Sequence, residues 1–315
     1  PLVMDLATLQ QEGSRRFGYG AQQVLDIAQA LYETHKATTY PRTDCRYLPV
    51  SMLDEAEVVV TALLQSDPGL SSLRDRLDLT RKSRVWNDSK ITAHHGIIPT
   101  TSRCDLSRMS EPERNLYDLV RRHYLAQFLP PHEYDQTDVV VKLEGQDFVA
   151  TGRQVRVEGW RELFSKGRDG DEGDAGGNKE DDVDGAQALP VLAQGETCAV
   201  SSLEVLTKQT TPPKPFTEGT LIAAMKNVAR FEQDEKLKAR LRETAGIGTE
   251  ATRAGIIDTL LKRGFLQRKG RALVSTPTGQ QLIGALPALL TAPGMTALWE
   301  QSLDDVASRR LKLEE

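Results

Sequence analysis

The chain has 315 residues, 39% hydrophobic side chains, three cysteines and a formal net charge of −5. That length suffices for about two to three domains with packed cores, and no run of about 18 apolar residues is present to cross a membrane. Cys45, Cys104 and Cys198 are scattered, with neither metal-ligand spacing nor a disulfide framework, which points to a reducing cytosol.

Residues 5–35 predict helix. Leu6, Leu9 and Gly13 recur at helical spacing, and Ala21 to Tyr32 carries Val24, Leu25, Ile27, Ala28 and Leu31. The pattern stops before Tyr40, which places that residue on a loop or short extended segment fixed by a rigid helix. Ser51 is expected to N-cap a helix with Leu53, Ala56, Val60 and Leu63 on one face, and Asp67-Pro68-Gly69 breaks it. Ser110 with Glu113 has the pattern of a capping box for a helix running towards Phe128, which Pro130-Pro131 closes.

From Tyr134 to Val157 the period changes to two. Val139, Val141 and Leu143 alternate, as do Phe148 and Ala150, and Gly145 marks a turn between two antiparallel strands. Residues 166–187 are rich in Gly, Asp and Glu and predict a mobile loop. Thr197 to Leu206 resumes a strand pattern. Thr217 is a good N-cap for a helix through Val228, and Thr249 begins another over Glu250 to Arg263. A hairpin through Lys269-Gly270 follows, so helix–turn–helix plus hairpin gives a winged-helix pattern. The expected organisation is a helical domain over 1–132, a β-rich segment over 133–209 and a second helical domain over 210–315.

The acidic net charge argues against a nucleic-acid partner, but its distribution reverses the inference. Residues 133–209 hold 17 acidic and 8 basic side chains, whereas residues 226–271 hold 12 basic and 6 acidic. The second stretch is either a backbone-binding surface or a solvated helix face with ordinary ion pairs.

In Thr38-Thr39-Tyr40-Pro41-Arg42-Thr43-Asp44, a phenol stands beside an arginine, with Pro41 holding the local backbone extended. A phenol can attack a phosphodiester, and a guanidinium can hold a phosphate oxygen and the developing charge. The plain alternative is a polar turn with a packed tyrosine ring. His94 suits phosphate contact and proton movement near neutral pH. Its neighbour His95 points to the opposite face of an extended strand, so the pair makes a weak metal site. Asp44 orients Arg42 or His94, or accepts in a tight turn. Gly246-Ile247-Gly248-Thr249 leads into a helix N-terminus where a phosphate is favoured, or is a glycine-rich helix entry without a ligand. No Walker A sequence is present, so nothing suggests nucleotide hydrolysis.

The run HKATTYPRTDCRYLP from His35 to Pro49 resembles the active-site segment of type IA DNA topoisomerases, closest to the topoisomerase III branch. Three further stretches resemble the same family in the same order. They are Thr8 to Glu12 with Arg15-Arg16-Phe17-Gly18, Ala93-His94-His95-Gly96-Ile97-Ile98-Pro99-Thr100, and Pro212 to Glu218 with Gly246 to Ile257.

The resemblance implies helical domains of winged-helix, catabolite-activator-like type plus part of a β gate or arch. It implies a Tyr40 nucleophile that forms a 5′-phosphotyrosine link, assisted by Arg42, His94 and Asp44. His94 takes the histidine position of the pattern Ala-His-x-x-Ile-x-Pro-Thr. Thr249, Thr252, Arg253 and Arg263 would contact the DNA backbone, with Arg15 and Arg16 lining the same groove. Because the ester conserves the phosphodiester's energy, resealing needs no ATP.

The family's magnesium-binding TOPRIM domain is not matched. Asp169, Asp171 and Asp174 lie in the Gly/Asp-rich stretch, and no Asp-x-Asp-x-Asp run occurs in an α/β setting. The chain is therefore expected to be a central fragment, with Mg²⁺ ligands elsewhere and none in these residues. Single-stranded DNA is the expected partner, in a nucleoid-associated cytoplasmic enzyme that could meet a helicase or a single-strand-binding protein. The rival expectation is a single-strand-binding module that never cleaves. A recombinase should show several catalytic arginines and a relaxase a His-x-His cluster, and neither pattern is present.

Overall fold

The computed structural model describes residues 1–91, 93–165, 189–244 and 246–312. The chain divides into two compact units, one of residues 1–128 with 215–315 and one of residues 129–214. The acidic loop expected over 166–187 lies outside the described residues.

In the first unit, helix α1 spans Leu6–Phe17 and α2 spans Ala21–Glu33. Asp5 caps α1 by accepting the Thr8 N–H at 2.7 Å, and Gly18 ends it at φ +71°, a conformation that glycine adopts without strain. The helical stretch expected over 5–35 is thus broken at Gly18. Helix α3 spans Ala56–Ser66 and α4 spans Glu111–Leu125. Ser51 caps no helix. Val50–Glu55 forms a 3₁₀ turn, and the α-helix starts at Ala56 once Val59, Val60 and Leu63 can face the core. The capping box at Ser110 and Glu113 forms as expected.

The second unit is built on strands β1 (Glu133–Leu143) and β2 (Gln146–Val157), paired antiparallel with Leu143 opposite Gln146. Glu144 and Gly145 make the two-residue turn with φ of +48° and +76°. A short helix α5 follows (Glu162–Ser165). Thr197 to Leu206 is not a strand. Those residues are exposed and join no ladder among the described residues, and a period-two pattern forms a strand only where a neighbour supplies hydrogen bonds.

The first unit resumes with α6 (Glu218–Lys226), α7 (Glu235–Glu243) and α8 (Arg253–Lys262). Strands β3 (Leu266–Lys269) and β4 (Ala272–Ser275) form a second antiparallel pair, followed by α9 (Pro277–Ala285), α10 (Ala288–Thr291) and α11 (Gly294–Ala307). The fold is therefore mixed, helical with two small antiparallel sheets. No helix among the described residues is long and apolar enough to cross a membrane.

One hydrophobic cluster joins the two sequence-distant parts of this unit. Leu6, Ala7, Ala21 and Leu25 from α1 and α2 pack with Ile222 and Met225 of α6, Ala254 and Ile257 of α8, and Leu273 of β4. The α1–α6 contact is close: a Cβ on Gly219 would lie 2.8 Å from Ser14 Cβ and 3.1 Å from Gln11 Cα. Glu218 pins the same junction, accepting the Ala21 N–H at 2.7 Å and Arg268 Nε at 2.8 Å. Its carboxylate thereby caps α2, whose own N-cap, Gly20, has no side chain to do so.

His123 of α4 is buried, with Nδ1 2.8 Å from the Leu119 carbonyl. Burial disfavours its charged form and holds its pKa down at about 4, against an ordinary value of 6.5. Between those two values the unfolded chain binds one more proton than the folded one. Stability is then full above pH 6.5 and falls as the solution is acidified towards pH 4, by up to ~3 kcal/mol. His123→Leu should flatten the fall in urea midpoint between pH 7 and pH 5. A slope identical to that of the unaltered chain would show that His123 does not carry it.

Candidate active site and nucleic-acid interface

After α2 the chain turns at Lys36 (φ +52°) and runs extended against a second segment. Thr39 N–H donates to the Ile98 carbonyl at 2.9 Å, Ile98 N–H donates to Thr39 Oγ1 at 3.0 Å, and Thr100 N–H donates to the Ala37 carbonyl at 3.1 Å. Gly96 is needed where the segments meet, since a Cβ there would lie 2.4 Å from Val3 Cγ2. This lacing brings Tyr40 and His94 together. Their rings stack at 4.8 Å between centroids and 25° between planes, and Tyr32 of α2 meets Tyr40 edge-on at 5.8 Å. Tyr40 is 37% exposed, so the phenol is open to solvent. His95 places Nδ1 2.8 Å from the Gly96 carbonyl.

Beyond Tyr40 the segment alternates. Pro41, Thr43 and Cys45 are buried, while Arg42 and Asp44 are exposed. Thr43 anchors the run, its hydroxyl accepting the Cys45 N–H at 3.0 Å and its carbonyl accepting the Leu6 N–H at 3.0 Å. Arg42 and Asp44 thereby line a cavity of about 470 Å³ together with Lys226, Arg242, Thr249 and Glu250. Tyr40 and His94 stand outside that lining.

The cavity wall is a chain of charges. Lys226 Nζ lies 2.5 Å from the buried Asp5 carboxylate and 3.4 Å from Glu250, and Glu250 lies 2.7 Å from Arg253. Burial alone would lower the Lys226 pKa, but the Asp5 and Glu250 carboxylates outweigh it and hold the ammonium charged.

Arg253, expected to face the nucleic-acid backbone, also lines this cavity, but with its guanidinium held by the protein. It is 1% exposed, donating to the Ile247 carbonyl and the Gly248 carbonyl at 3.0 Å each. Helix α8 begins at Arg253 rather than Glu250, because Thr249 to Thr252 closes a turn first. There Thr249 N–H donates to Thr252 Oγ1 at 2.8 Å, and both threonines remain exposed. Arg263 is exposed at the far end of α8.

Arg15 and Arg16 both grip Glu12, at 2.8 and 2.7 Å. Burial pushes the Glu12 pKa up, but the two guanidiniums prevail and hold it near 2. Among the described residues no three His, Cys, Asp or Glu side chains are grouped to hold a metal ion. The sequence pattern singled out neither Lys226 nor Arg242 as a site residue. The signal for both was the basic stretch over 226–271.

A sequence model of the DNA topoisomerase family matches residues 1–315. The chain is 44% identical to DNA topoisomerase 3 of Haemophilus influenzae over 98% of its own length and 46% of that protein. It is 42% identical to DNA topoisomerase 3 of Pasteurella multocida over 100% of its length and 46% of that protein. With DNA topoisomerase 3 of Bacillus subtilis the identity is 39%, over 99% of this chain and 42% of the relative. The chain thus spans just under half the length of these relatives. Its fold resembles full-length topoisomerase I from Thermotoga maritima with a TM-score of 0.63 at 21% identity, over 99% of this chain and 47% of that one. On the match over its whole length, the chain belongs to the DNA topoisomerase family, type IA.

Proposed function

We propose that this chain is the tyrosine-bearing part of a topoisomerase III that cuts one DNA strand, passes another through the break and reseals it. The observation that carries this reading is the exposed Tyr40 phenol stacked on His94, in the same short segment as Arg42 on a basic cavity.

The phenol loses its proton and its oxygen attacks phosphorus. The bond from phosphorus to the 3′ oxygen breaks, and that oxygen leaves as a hydroxyl. A 5′-phosphotyrosine ester remains, and attack by the same hydroxyl reverses the step without ATP. Arg42 holds a non-bridging oxygen as charge builds on the phosphate. The face-to-face stack sets the His94 ring beside the Tyr40 ring, so we assign His94 to fixing the phenol and contacting phosphate. Asp44 lines the same cavity as Arg42, and we assign it to orienting that guanidinium when phosphate is bound. The Mg²⁺ of the whole enzyme would be held by residues outside this chain.

Thr249, Thr252, Arg263, Arg15 and Arg16, with Arg242 added, hold the strand by its phosphates. Such contacts position a strand without reading its sequence. We read 1–132, 133–209 and 210–315 as the tyrosine domain, part of the gate, and a winged-helix DNA-binding domain built on α6, α8 and the β3–β4 hairpin. A nucleoid-associated enzyme of the cytoplasm, working beside a helicase or a single-strand-binding protein, fits this assignment.

The test is covalent capture of oligonucleotides labelled at the 5′ or the 3′ end. The chain is used alone, then with Mg²⁺ and a separately made N-terminal domain. An adduct carrying the strand downstream of the break, formed only when that domain is supplied, is the expected result. Retention of the upstream label would overturn the 5′ link. Strand binding with no adduct under any condition would leave the second reading, a single-strand-binding module.

A further inference from the structure

A second cavity, of about 410 Å³, opens between the end of α6 and α7, lined by Lys226, Asn227, Arg230, Lys238, Leu241 and Arg242 among others. Among the described residues no carboxylate lines it. Two of its cations are already neutralised, Lys226 by Asp5 and Glu250, and Lys238 by Glu235 at 3.0 Å. Arg230 and Arg242 are exposed and make no ion pair among the described residues. The Arg230 guanidinium instead lies 4.7 Å from the centroid of the Phe231 ring. Phe231 is 49% exposed, and Phe216, 38% exposed, meets it edge-on at 6.5 Å.

A guanidinium laid on an exposed aromatic ring is a flat, cationic surface. An unpaired nucleobase stacks on such a surface whatever its identity, because every base has a π face. The adjoining unpaired Arg242 is suited to the phosphate that accompanies that base. This cavity shares Lys226, Asn227, Arg242 and Thr244 with the one that Arg42 and Asp44 line, so one basic path runs from the tyrosine segment to Arg230, whose guanidinium lies on the Phe231 ring.

We propose that Arg230 and Phe231 form a stacking platform for one unpaired base of a single strand, with Arg242 holding the neighbouring backbone phosphate. This rests on the single-strand reading above. It adds a contact remote from the reacting phosphate and one that senses bases rather than backbone.

The test is fluorescence anisotropy of the whole chain with oligothymidylate and with an abasic strand of the same length. Phe231→Ala should weaken oligothymidylate binding about tenfold, the size of one lost base–aromatic stack. It should leave abasic binding within about twofold, the spread expected of a surface change that removes no contact. Phe231→Tyr should restore the loss, and Arg242→Ala should weaken both strands alike. Wild-type affinity of Phe231→Ala for oligothymidylate would overturn the platform, as would an equal loss on both strands. Failure of the unaltered chain to bind either strand would overturn the single-strand reading and the platform with it.

Discussion

Tyr40→Phe abolishes the covalent DNA adduct and leaves the fold intact: that is the expected result of removing one oxygen atom. The ring stays on His94 at 4.8 Å and against Tyr32 at 5.8 Å, since neither contact uses the hydroxyl. Tyr40 is 37% exposed, and its hydroxyl makes no hydrogen bond among the described residues, so nothing buried is left unsatisfied. Stability should therefore change by no more than about 0.5 kcal/mol. Single-strand binding should change as little, because the proposed phosphate contacts are on Arg42 and the cavity wall, not on the Tyr40 hydroxyl. Denaturing gel capture, urea midpoints and anisotropy on the same preparation separate the three effects. Persistent adduct in Tyr40→Phe would move the nucleophile elsewhere. Loss of adduct together with loss of fold would reduce Tyr40 to a packing residue.

The largest stability effect is expected at Arg253. Its guanidinium is 1% exposed and donates to one oxygen of the Glu250 carboxylate at 2.7 Å as well as to two backbone carbonyls of the glycine-rich turn. Arg253→Ala removes all of these partners at once and leaves the buried Glu250 carboxylate with only the Lys226 ammonium, 3.4 Å away, which costs about 3 kcal/mol. Arg253→Lys should recover little, because an ammonium does not reproduce the planar fork of donors. Arg263→Ala, at the exposed end of the same helix, should cost less than about 0.5 kcal/mol. Urea midpoints of the three variants decide the matter. A stable Arg253→Ala chain that had lost only strand affinity would return Arg253 to the binding surface.

Arg253 also marks the limit of what spacing along the chain reveals. Its place in the run Gly246 to Ile257, next to a helix start in a basic stretch, marks it as a phosphate ligand. The start of α8 three residues later than expected turns the side chain inward. The turn from Thr249 to Thr252 decides this, since the two threonines bond to each other before the helix begins. Ser51 fails for a related reason: a polar residue ahead of an apolar run caps a helix only if the helix starts there, and core packing delays it to Ala56. Thr197 to Leu206 has the alternation of a strand but no partner among the described residues.

Local rules hold wherever the partners are near in sequence. The capping boxes at Ser110 and Thr217, the turn at Gly145 and the hairpin at Lys269-Gly270 close over a few residues, so their geometry is written in adjacent side chains. The alternation around Tyr40 is of the same kind, since a period of two sends Arg42 and Asp44 outward once Thr43 is anchored. The alternation of the Tyr40 segment, the helical content and the position of the basic stretch were thus determined by the sequence itself. The stack of Tyr40 on His94, the meeting of Arg42 with Arg242 and Thr249, and the inward turn of Arg253 were decided only by the tertiary structure. Each depends on backbone pairing or on a shared core between residues far apart in the chain, and spacing along a sequence carries no information about which distant surfaces will exclude water together.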